Sequence, residues 1–325
     1  AEGLITEQDM AGYTAVTRDT IQGTYRSYDI HSMPPPSSGG THIVQILNTL
    51  EGYPIGALGQ NSAQTIHLMA EAMKQAYADR ATYLGDPDFV DVPVKELTNK
   101  KYASDIRAKI DVGAARPAND VKANILTPYE SAETTHFSVI DRFGNAISNT
   151  YTINFSFGSG LVADGTGVLL NNEMDDFSAK PGEPNAFGLV GNEANAIAPG
   201  KRPLSSMSPS MLESENSLAV LGTPGGSRII SMVFLGALEY LQGKPVEDWV
   251  ARPRIHHQYL PDVIQHEPGV ISEEAMTELQ KRGHSFRDVG REYGNMQAIL
   301  IDKESGEVTA ASDPRGIGSA RVITQ

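Results

Sequence analysis

The sequence contains no cysteine and a single tryptophan. The absence of cysteine excludes disulfides, thiolate metal sites and a cysteine nucleophile, and it fits either the cytoplasm or an oxidising compartment. No apolar run approaches the roughly 18 residues of a membrane-spanning helix, so no membrane span is expected. The eight histidines include no HExxH or similar spacing, and neither a metal nor another cofactor is predicted.

Basic side chains are few relative to acidic ones. The 325 residues include 26 lysines and arginines against 40 aspartates and glutamates, a formal charge of -14. Such a surface repels phosphate backbones on average, which argues against nucleic acid as a partner. The length allows a substantial core. The first residues have no initiator methionine and no basic-then-apolar leader, which predicts a fragment or a cut chain.

Periodicity divides the sequence into a helical first half and a strand-rich second half. Helices are expected after Thr6 and over 42–47, 62–84, 229–241 and 273–282, the last capped by Ser272 and stopped by Gly283. The stretch 112–133 has no period and predicts a linker or mobile tail. Strands are expected as a hairpin of 135–140 and 146–154, and at 167–170, 208–212, 218–221, 297–301 and 308–311. The combination predicts a layered α+β fold.

Five polar segments are richer in Thr, Ser, Asn, Asp and Gly than connecting loops need: 133–136, 150–154, 171–176, 204–208 and 224–227. The Gly225-Gly226 pair can point two backbone amides at one anion, although a tight turn explains it as well. Segment 171–176 lacks EF-hand ligand spacing and is interpreted as an acidic pocket for an ammonium group or as a solvated loop. Thr134-Thr135 by itself is an ordinary pair of strand formers.

Motifs along the whole chain resemble the gamma-glutamyltranspeptidase family of N-terminal-nucleophile hydrolases. They are MPPPSSGG (33–40), YADR (77–80), LGDPDF (84–89), ETTHFSV (133–139), NTYTIN (149–154), LLNNEMDDF (169–177), KRPLSSMSP (201–209) and GTPGGSR (222–228). The resemblance implies a layered αββα sandwich whose N-terminal region is missing. Residues 1–133 would be the mainly helical C-terminal region of the large subunit, ending in a mobile tail, and 134–325 the complete small subunit.

The same resemblance implies a threonine nucleophile. The chain would cut itself between Glu133 and Thr134, and the freed α-amine of Thr134 would act as base for its own hydroxyl, which is otherwise a weak nucleophile. Thr152 would orient that hydroxyl. The amides of Gly225 and Gly226 would hold the oxyanion of the tetrahedral intermediate.

Recognition of a glutamyl group is also implied by the resemblance. Asn154, Glu173 and Asp176 would receive its α-ammonium, and Ser205 with Ser206 would hydrogen-bond its α-carboxylate. Many bacterial relatives have Gln in place of Glu173. The family's arginine for the carboxylate comes from a segment outside this chain, which predicts that the chain itself offers only two hydroxyls at that end.

The activity implied is gamma-glutamyl transfer from glutathione and other gamma-glutamyl compounds to water, amino acids or peptides. A heterodimer of large and small subunits and a periplasmic or extracellular location would accompany it. Residues 181–192 resemble a lid loop, with Phe187 where relatives often have Tyr. Two alternatives are a related amide acylase, disfavoured because a glutaryl group has no ammonium for the acidic pair, and an inactive fragment.

Overall fold

The computed structural model describes residues 5–121 and 134–323. Its helices are α1 (Glu7–Gly12), α2 (Gly39–Leu50), α3 (Ile55–Leu58), α4 (Ala63–Tyr83), α5 (Val94–Thr98), α6 (Lys100–Arg107), α7 (Ala118–Val121), α8 (Ile229–Leu241), α9 (Val246–Ala251) and α10 (Glu273–Lys281). Its strands are β1 (Ile21–Tyr25), β2 (Tyr28–Ser32), β3 (Thr135–Ile140), β4 (Ala146–Tyr151), β5 (Ser210–Glu213), β6 (Ser217–Gly222), β7 (Ile255–His256), β8 (Ile264–His266), β9 (Phe286–Asp288), β10 (Gln297–Asp302) and β11 (Val308–Ser312).

One antiparallel sheet organises the described chain. Its strand order is β1-β2-β5-β6-β10-β11, so both halves of the sequence contribute to it. Ala219, Val220 and Leu221 of the central strand β6 are all buried. A strand buried on both faces requires a further layer on each side of the sheet.

A helical layer and a strand layer cover the two faces of this sheet. The side chain of Leu221 in β6 faces α8, because a methyl group added to Gly236 of α8 would lie 3.3 Å from Leu221 Cδ1. The next residue of the strand, Gly222, faces β3, because a methyl group added to it would lie 2.2 Å from the His136 ring. Successive strand residues point to opposite faces, so α8 and the β3–β4 hairpin lie on opposite sides. Ser148 Oγ of β4 also donates to the Leu221 carbonyl at 3.1 Å. The α, β and β layers of the predicted sandwich are therefore present.

The helical layer is deeply buried. Every residue of α2 and α8 is buried, and α2 packs against both α4 and α8. Ser62 caps α4 by accepting from the Thr65 amide at 3.1 Å. In the described region of the chain, no helix is both long enough and apolar enough to cross a membrane.

Most predicted elements are confirmed, and the main differences are the following. The strand expected at 167–170 is wrong: only an isolated bridge between Val162 and Leu169 forms, because Gly165 and Gly167 adopt positive φ and turn the chain. Strands β1 and β2 and the small β7–β9 sheet had no clear alternation and were not predicted. The irregular stretch 112–133 contains α7, and its residues 122–133 lie outside the described residues.

Candidate active site

The hairpin register brings the predicted nucleophile opposite its predicted partner. Thr135 pairs with Tyr151 and His136 with Thr150, so the register continues to Thr134 and Thr152 just beyond the ladder. Thr134 Oγ1 donates to Thr152 Oγ1 at 3.4 Å. Burial lowers the pKa of His136 to about 4, so this ring packs between the two sheets as a neutral group.

The turn after β4 fixes the Thr152 hydroxyl. The Asn154 amide donates to Thr152 Oγ1 at 2.8 Å, and Asn154 adopts a φ of 72°, a conformation that Asn tolerates better than most residues. Asn154 Nδ2 donates to the Asn172 carbonyl at 3.1 Å. This leaves the Asn154 Oδ1 lone pairs to accept from a ligand.

The glycine pair lies at the end of β6, where the chain turns into α8. Gly225 has φ +142° and Gly226 has φ +55°. The first value is in a region that is essentially restricted to glycine. In the described residues, neither glycine N–H donates to a protein acceptor. Two unused amides at a helix N-terminus are suited to a developing negative charge.

Two carboxyl groups form the acidic side of the site on a 3-10 turn, Glu173–Asp176. Burial raises the pKa of Asp176 well above its usual range, and the neighbouring charge of Glu173 raises it further. Burial likewise raises the pKa of Glu173. Glu173 Oε1 is buried and has no hydrogen-bond partner among the described residues. A cationic donor would satisfy this oxygen and remove the repulsion within the pair.

The adjacent serines are held by the proline-rich segment. The Ser205 amide donates to the Pro36 carbonyl, and the Ser38 amide donates to the Ser205 carbonyl, each at 2.9 Å. Ser205 Oγ accepts from the Met207 amide at 3.0 Å. The segment 33–40, which on composition alone is a loop before a core helix, thus aligns the two serines.

Arg80 is adjacent to the predicted site residues, although no role was predicted for it. It lies on α4 and is 4% exposed. Its Nη2 donates to Ser206 Oγ at 3.2 Å and its Nε to Ser38 Oγ at 2.9 Å. Helix packing therefore places a guanidinium behind Ser206, a contact that was not predicted. The available signal was an arginine on the buried, apolar stripe of a long helix.

One small cavity joins most of the predicted residues. Its volume is about 20 Å³, and its lining includes Thr134, Thr152, Asn154, Asp176, Ser205, Ser206 and Gly226. Phe187 and Leu189 of the 181–192 loop close it. Gln258 Nε2 donates to the Phe187 and Gly188 carbonyls, at 3.1 Å each, and so holds this loop down. So small a space holds little more than a water molecule.

A wider groove continues from the cavity. It has a volume of about 610 Å³ and shares Thr152, Asp176, Ser205 and Met207 with the cavity, and Glu173 lines it. Gly225 lies beside the cavity lining, and Glu133 lies outside the described residues. Across the region of the chain that the structure describes, no group of three or more His, Asp or Glu side chains is placed to hold a metal ion.

Comparisons with known proteins agree on one family. The family model described as Gamma-glutamyltranspeptidase matches residues 1–323. The glutathione hydrolase proenzyme of Escherichia coli strain K12 is 50% identical over 319 residues, which are 97% of this chain and 54% of that protein. The chain thus spans about half the length of this curated relative.

Two solved structures are also similar. A gamma-glutamyltranspeptidase from Pseudomonas nitroreducens complexed with L-DON has a TM-score of 0.55 and 49% identity, covering 58% of this chain and 100% of that chain. A cephalosporin acylase from Bacillus halodurans has a TM-score of 0.78 and 25% identity, covering 96% of this chain and 54% of that chain.

Proposed function

Because the chain belongs to the gamma-glutamyltranspeptidase family, we propose that it carries the nucleophile and most of the donor pocket of an enzyme that transfers gamma-glutamyl groups. The donors would be glutathione and related compounds, and the acceptors water, amino acids or peptides. The observation that carries this proposal is the cavity that joins Thr134 to Asp176, the serines and the Gly226 turn, with Glu173 in the adjoining groove.

The first step is preparation of the nucleophile. The Thr134 hydroxyl attacks the Glu133 carbonyl, and the peptide nitrogen leaves as the α-amine of Thr134, taking the hydroxyl proton while an ester forms. Water then hydrolyses that ester, which gives the Glu133 carboxylate and restores the Thr134 hydroxyl. That amine then takes the proton from the hydroxyl when a substrate is attacked. The names of the relatives, which call them proenzymes, support such processing. The processed chain would work as a heterodimer of its two fragments.

Glutamyl transfer follows through an ester. The Thr134 hydroxyl attacks the γ-carbonyl, and the Gly225 and Gly226 amides stabilise the oxyanion. One such donor is worth about 3 to 4 kcal/mol in the transition state. The amine of the leaving group takes a proton as it departs. Water or an acceptor amine then attacks the glutamyl ester and restores Thr134.

The two charged groups of the glutamyl α-carbon determine the orientation of the substrate. Glu173, Asp176 and Asn154 accept from its ammonium, and the buried unpartnered Glu173 Oε1 supports this assignment. Ser205 and Ser206 donate to its carboxylate. The groove beyond the cavity gives room to the leaving group or the acceptor. The proposal includes the periplasmic or extracellular location that the family resemblance implies.

Processing at the predicted bond tests the proposal. The chain, supplemented with the N-terminal region of a family member, is purified and examined by intact mass and N-terminal sequencing, and gamma-glutamyl anilide hydrolysis is measured in parallel. We expect a fragment that begins at Thr134, and we expect Thr134→Ala to abolish both cleavage and turnover. Thr135→Ala removes the neighbouring hydroxyl and should preserve both. A fragment that begins at another residue, or turnover by Thr134→Ala, contradicts the proposal.

An amide acylase is the second candidate, favoured by the acylase structure that aligns with 96% of this chain. A glutaryl substrate lacks the ammonium that the acidic pair would receive. The ratio of kcat/KM for gamma-glutamyl and glutaryl anilides separates the two candidates. We expect the glutamyl substrate to be favoured, and equal or reversed values would support the acylase.

A further inference from the structure

Arg80 differs from three other buried cations of the described chain. Arg254 is paired with Asp313, Arg252 with Glu239, and Lys74 with Glu71. Arg80, in contrast, has no carboxylate within 4.0 Å among the described residues, and its hydrogen bonds go to two serine hydroxyls. A buried charge is destabilising unless an opposite charge lies close to it. A bound anion near this guanidinium would therefore stabilise it.

Electrostatics keep Arg80 charged and link it to the acidic pair. Burial lowers the pKa of Arg80 to about 10, and the negative charge of Asp176 opposes that shift. The side chain therefore remains a cation at neutral pH. Asp176 is balanced by the ammonium when a glutamyl group binds, which leaves Arg80 to balance a second negative charge.

Both serine hydroxyls accept a hydrogen bond from the protein, which leaves their protons to point toward the cavity. Ser206 Oγ accepts from Arg80 Nη2, and Ser205 Oγ accepts from the Met207 amide. In the region of the chain that the structure describes, neither hydroxyl donates to a protein acceptor. Each therefore has its proton left to donate toward the cavity, and an ionised carboxylate only accepts. A carboxylate that receives both protons would also neutralise the buried guanidinium one hydrogen bond away.

We propose that Arg80 is a positioning residue for the substrate α-carboxylate: it orients the Ser206 hydroxyl and supplies the positive charge behind it. This inference rests on the proposed gamma-glutamyl function. It adds a charged partner from within this chain to the arginine that the family resemblance assigns to another segment. Arg80 takes no direct role in bond making, so its loss should weaken binding more than chemistry.

Matched substrates with and without the α-carboxylate test this role in the complete protein. Gamma-glutamyl anilide and 4-aminobutanoyl anilide share the amine and the scissile carbonyl, but only the first has the carboxylate. Arg80→Met should lower kcat/KM for the glutamyl substrate about tenfold to hundredfold, mainly through KM, because charge-assisted hydrogen bonds are lost. The value for the butanoyl substrate should change less than about twofold.

Inhibition provides a second readout that does not need turnover of the butanoyl substrate. The inhibition constant of L-glutamate should rise with Arg80→Met, and that of 4-aminobutanoate should stay constant. Arg80→Lys keeps the charge but cannot donate in the same two directions to Ser38 and Ser206, so we expect partial recovery. Arg107→Met is the control, because Arg107 donates to the Asn48 carbonyl outside the cavity.

The outcomes separate this inference from the proposed function. Equal losses for both substrates and both inhibitors would show that Arg80 only supports the fold and would overturn the inference. If Arg80→Met does not fold, Arg80→Lys with the two inhibitors decides the question in the same way. A wild-type protein that hydrolyses no gamma-glutamyl anilide would instead contradict the proposed function itself.

Discussion

Thr134 and Thr152 face each other where the β3–β4 ladder ends, and their hydroxyl oxygens lie 3.4 Å apart. The Asn154 amide holds the Thr152 oxygen from the other side at 2.8 Å. The predicted nucleophile thus lies at the end of a hydrogen-bonded hairpin, with its predicted partner held by the turn that follows.

Replacing Thr152 by valine keeps the branched shape and removes the hydroxyl. We expect Thr152→Val to lower kcat by about twofold to tenfold and to slow cleavage before Thr134, because one orienting hydrogen bond between neutral hydroxyls, of about 0.5 to 1.5 kcal/mol, is lost from the reacting hydroxyl. Ser148→Ala, on the same strand, removes the bond to the Leu221 carbonyl. A similar kcat in the two variants would contradict the orienting role.

Glu173 and Asp176 should strengthen substrate binding but lower the free energy of unfolding. Burial and the charge of Glu173 raise the pKa of Asp176, so its contribution to stability is greatest at low pH and falls as pH rises through the raised pKa. At neutral pH, Asp176→Asn should therefore raise Tm by about 2 °C or more and raise KM for a gamma-glutamyl anilide. The gain in Tm should shrink in acid. A lower Tm at neutral pH would contradict the repulsion.

The same pair predicts a pH dependence of binding. As pH falls through the raised pKa values, the pair gains a proton and attracts the substrate ammonium less strongly. KM for a gamma-glutamyl anilide should rise in acid, and this rise should be weaker for a glutaryl anilide. Parallel profiles for the two substrates would assign the effect to another group.

The Gly226 turn should be sensitive to a single methyl group. Gly226→Ala places a side chain at φ +55° beside the cavity, and a small displacement of its amide should lower kcat by about a hundredfold. Gly290→Ala is the control because it has a similar φ of +70° and open space around it. Each substitution places alanine in a left-handed backbone conformation and should lower stability by about 1 kcal/mol. Comparable losses of kcat in the two variants would therefore argue against an oxyanion site at Gly226.

The elements with a clear period could be predicted from the sequence. Helix α4 was expected at 62–84 and forms at Ala63–Tyr83. The hairpin was expected to reach 154, whereas β4 ends at Tyr151 and Asn154, beyond it, adopts a positive φ. Local patterns of alternation and capping determine such boundaries, and they also indicated the five polar segments.

The features that depend on packing could not be predicted. The role of Arg80 follows from where α4 packs, which places its guanidinium behind Ser206, 126 residues later in the chain. Strand β1 was not predicted because it contains Gly23, and glycine is uncommon in strands. Packing requires the glycine, because an added methyl group would lie 2.5 Å from Val44 of α2. The strand expected at 167–170 was wrong because local alternation does not supply a neighbouring strand to pair with.

The outer face of the hairpin predicts how the isolated 325-residue chain behaves. Phe137, Val139, Ile147 and Tyr151 are between 42% and 57% exposed and lie side by side on β3 and β4. An apolar face of this kind on an antiparallel pair normally packs against a further layer. The Escherichia coli relative has nearly half its length outside the region matched by this chain, which is enough chain for that layer.

We therefore expect the isolated chain to self-associate and to hydrolyse gamma-glutamyl anilides poorly, and the N-terminal region of that relative to restore both solubility and turnover. Phe137→Ser with Ile147→Ser should improve the solubility of the isolated chain without restoring turnover, because the mutations remove apolar surface but add no substrate contact. Replacing each arginine of the added region in turn should identify the residue that contacts the α-carboxylate, and Lys should replace it poorly because its charge has no bidentate fork. A monomeric chain with activity equal to the complemented protein, measured beside a Thr134→Ala control, would show that the chain needs no covering layer and that Arg80 with the two serines suffices for the carboxylate.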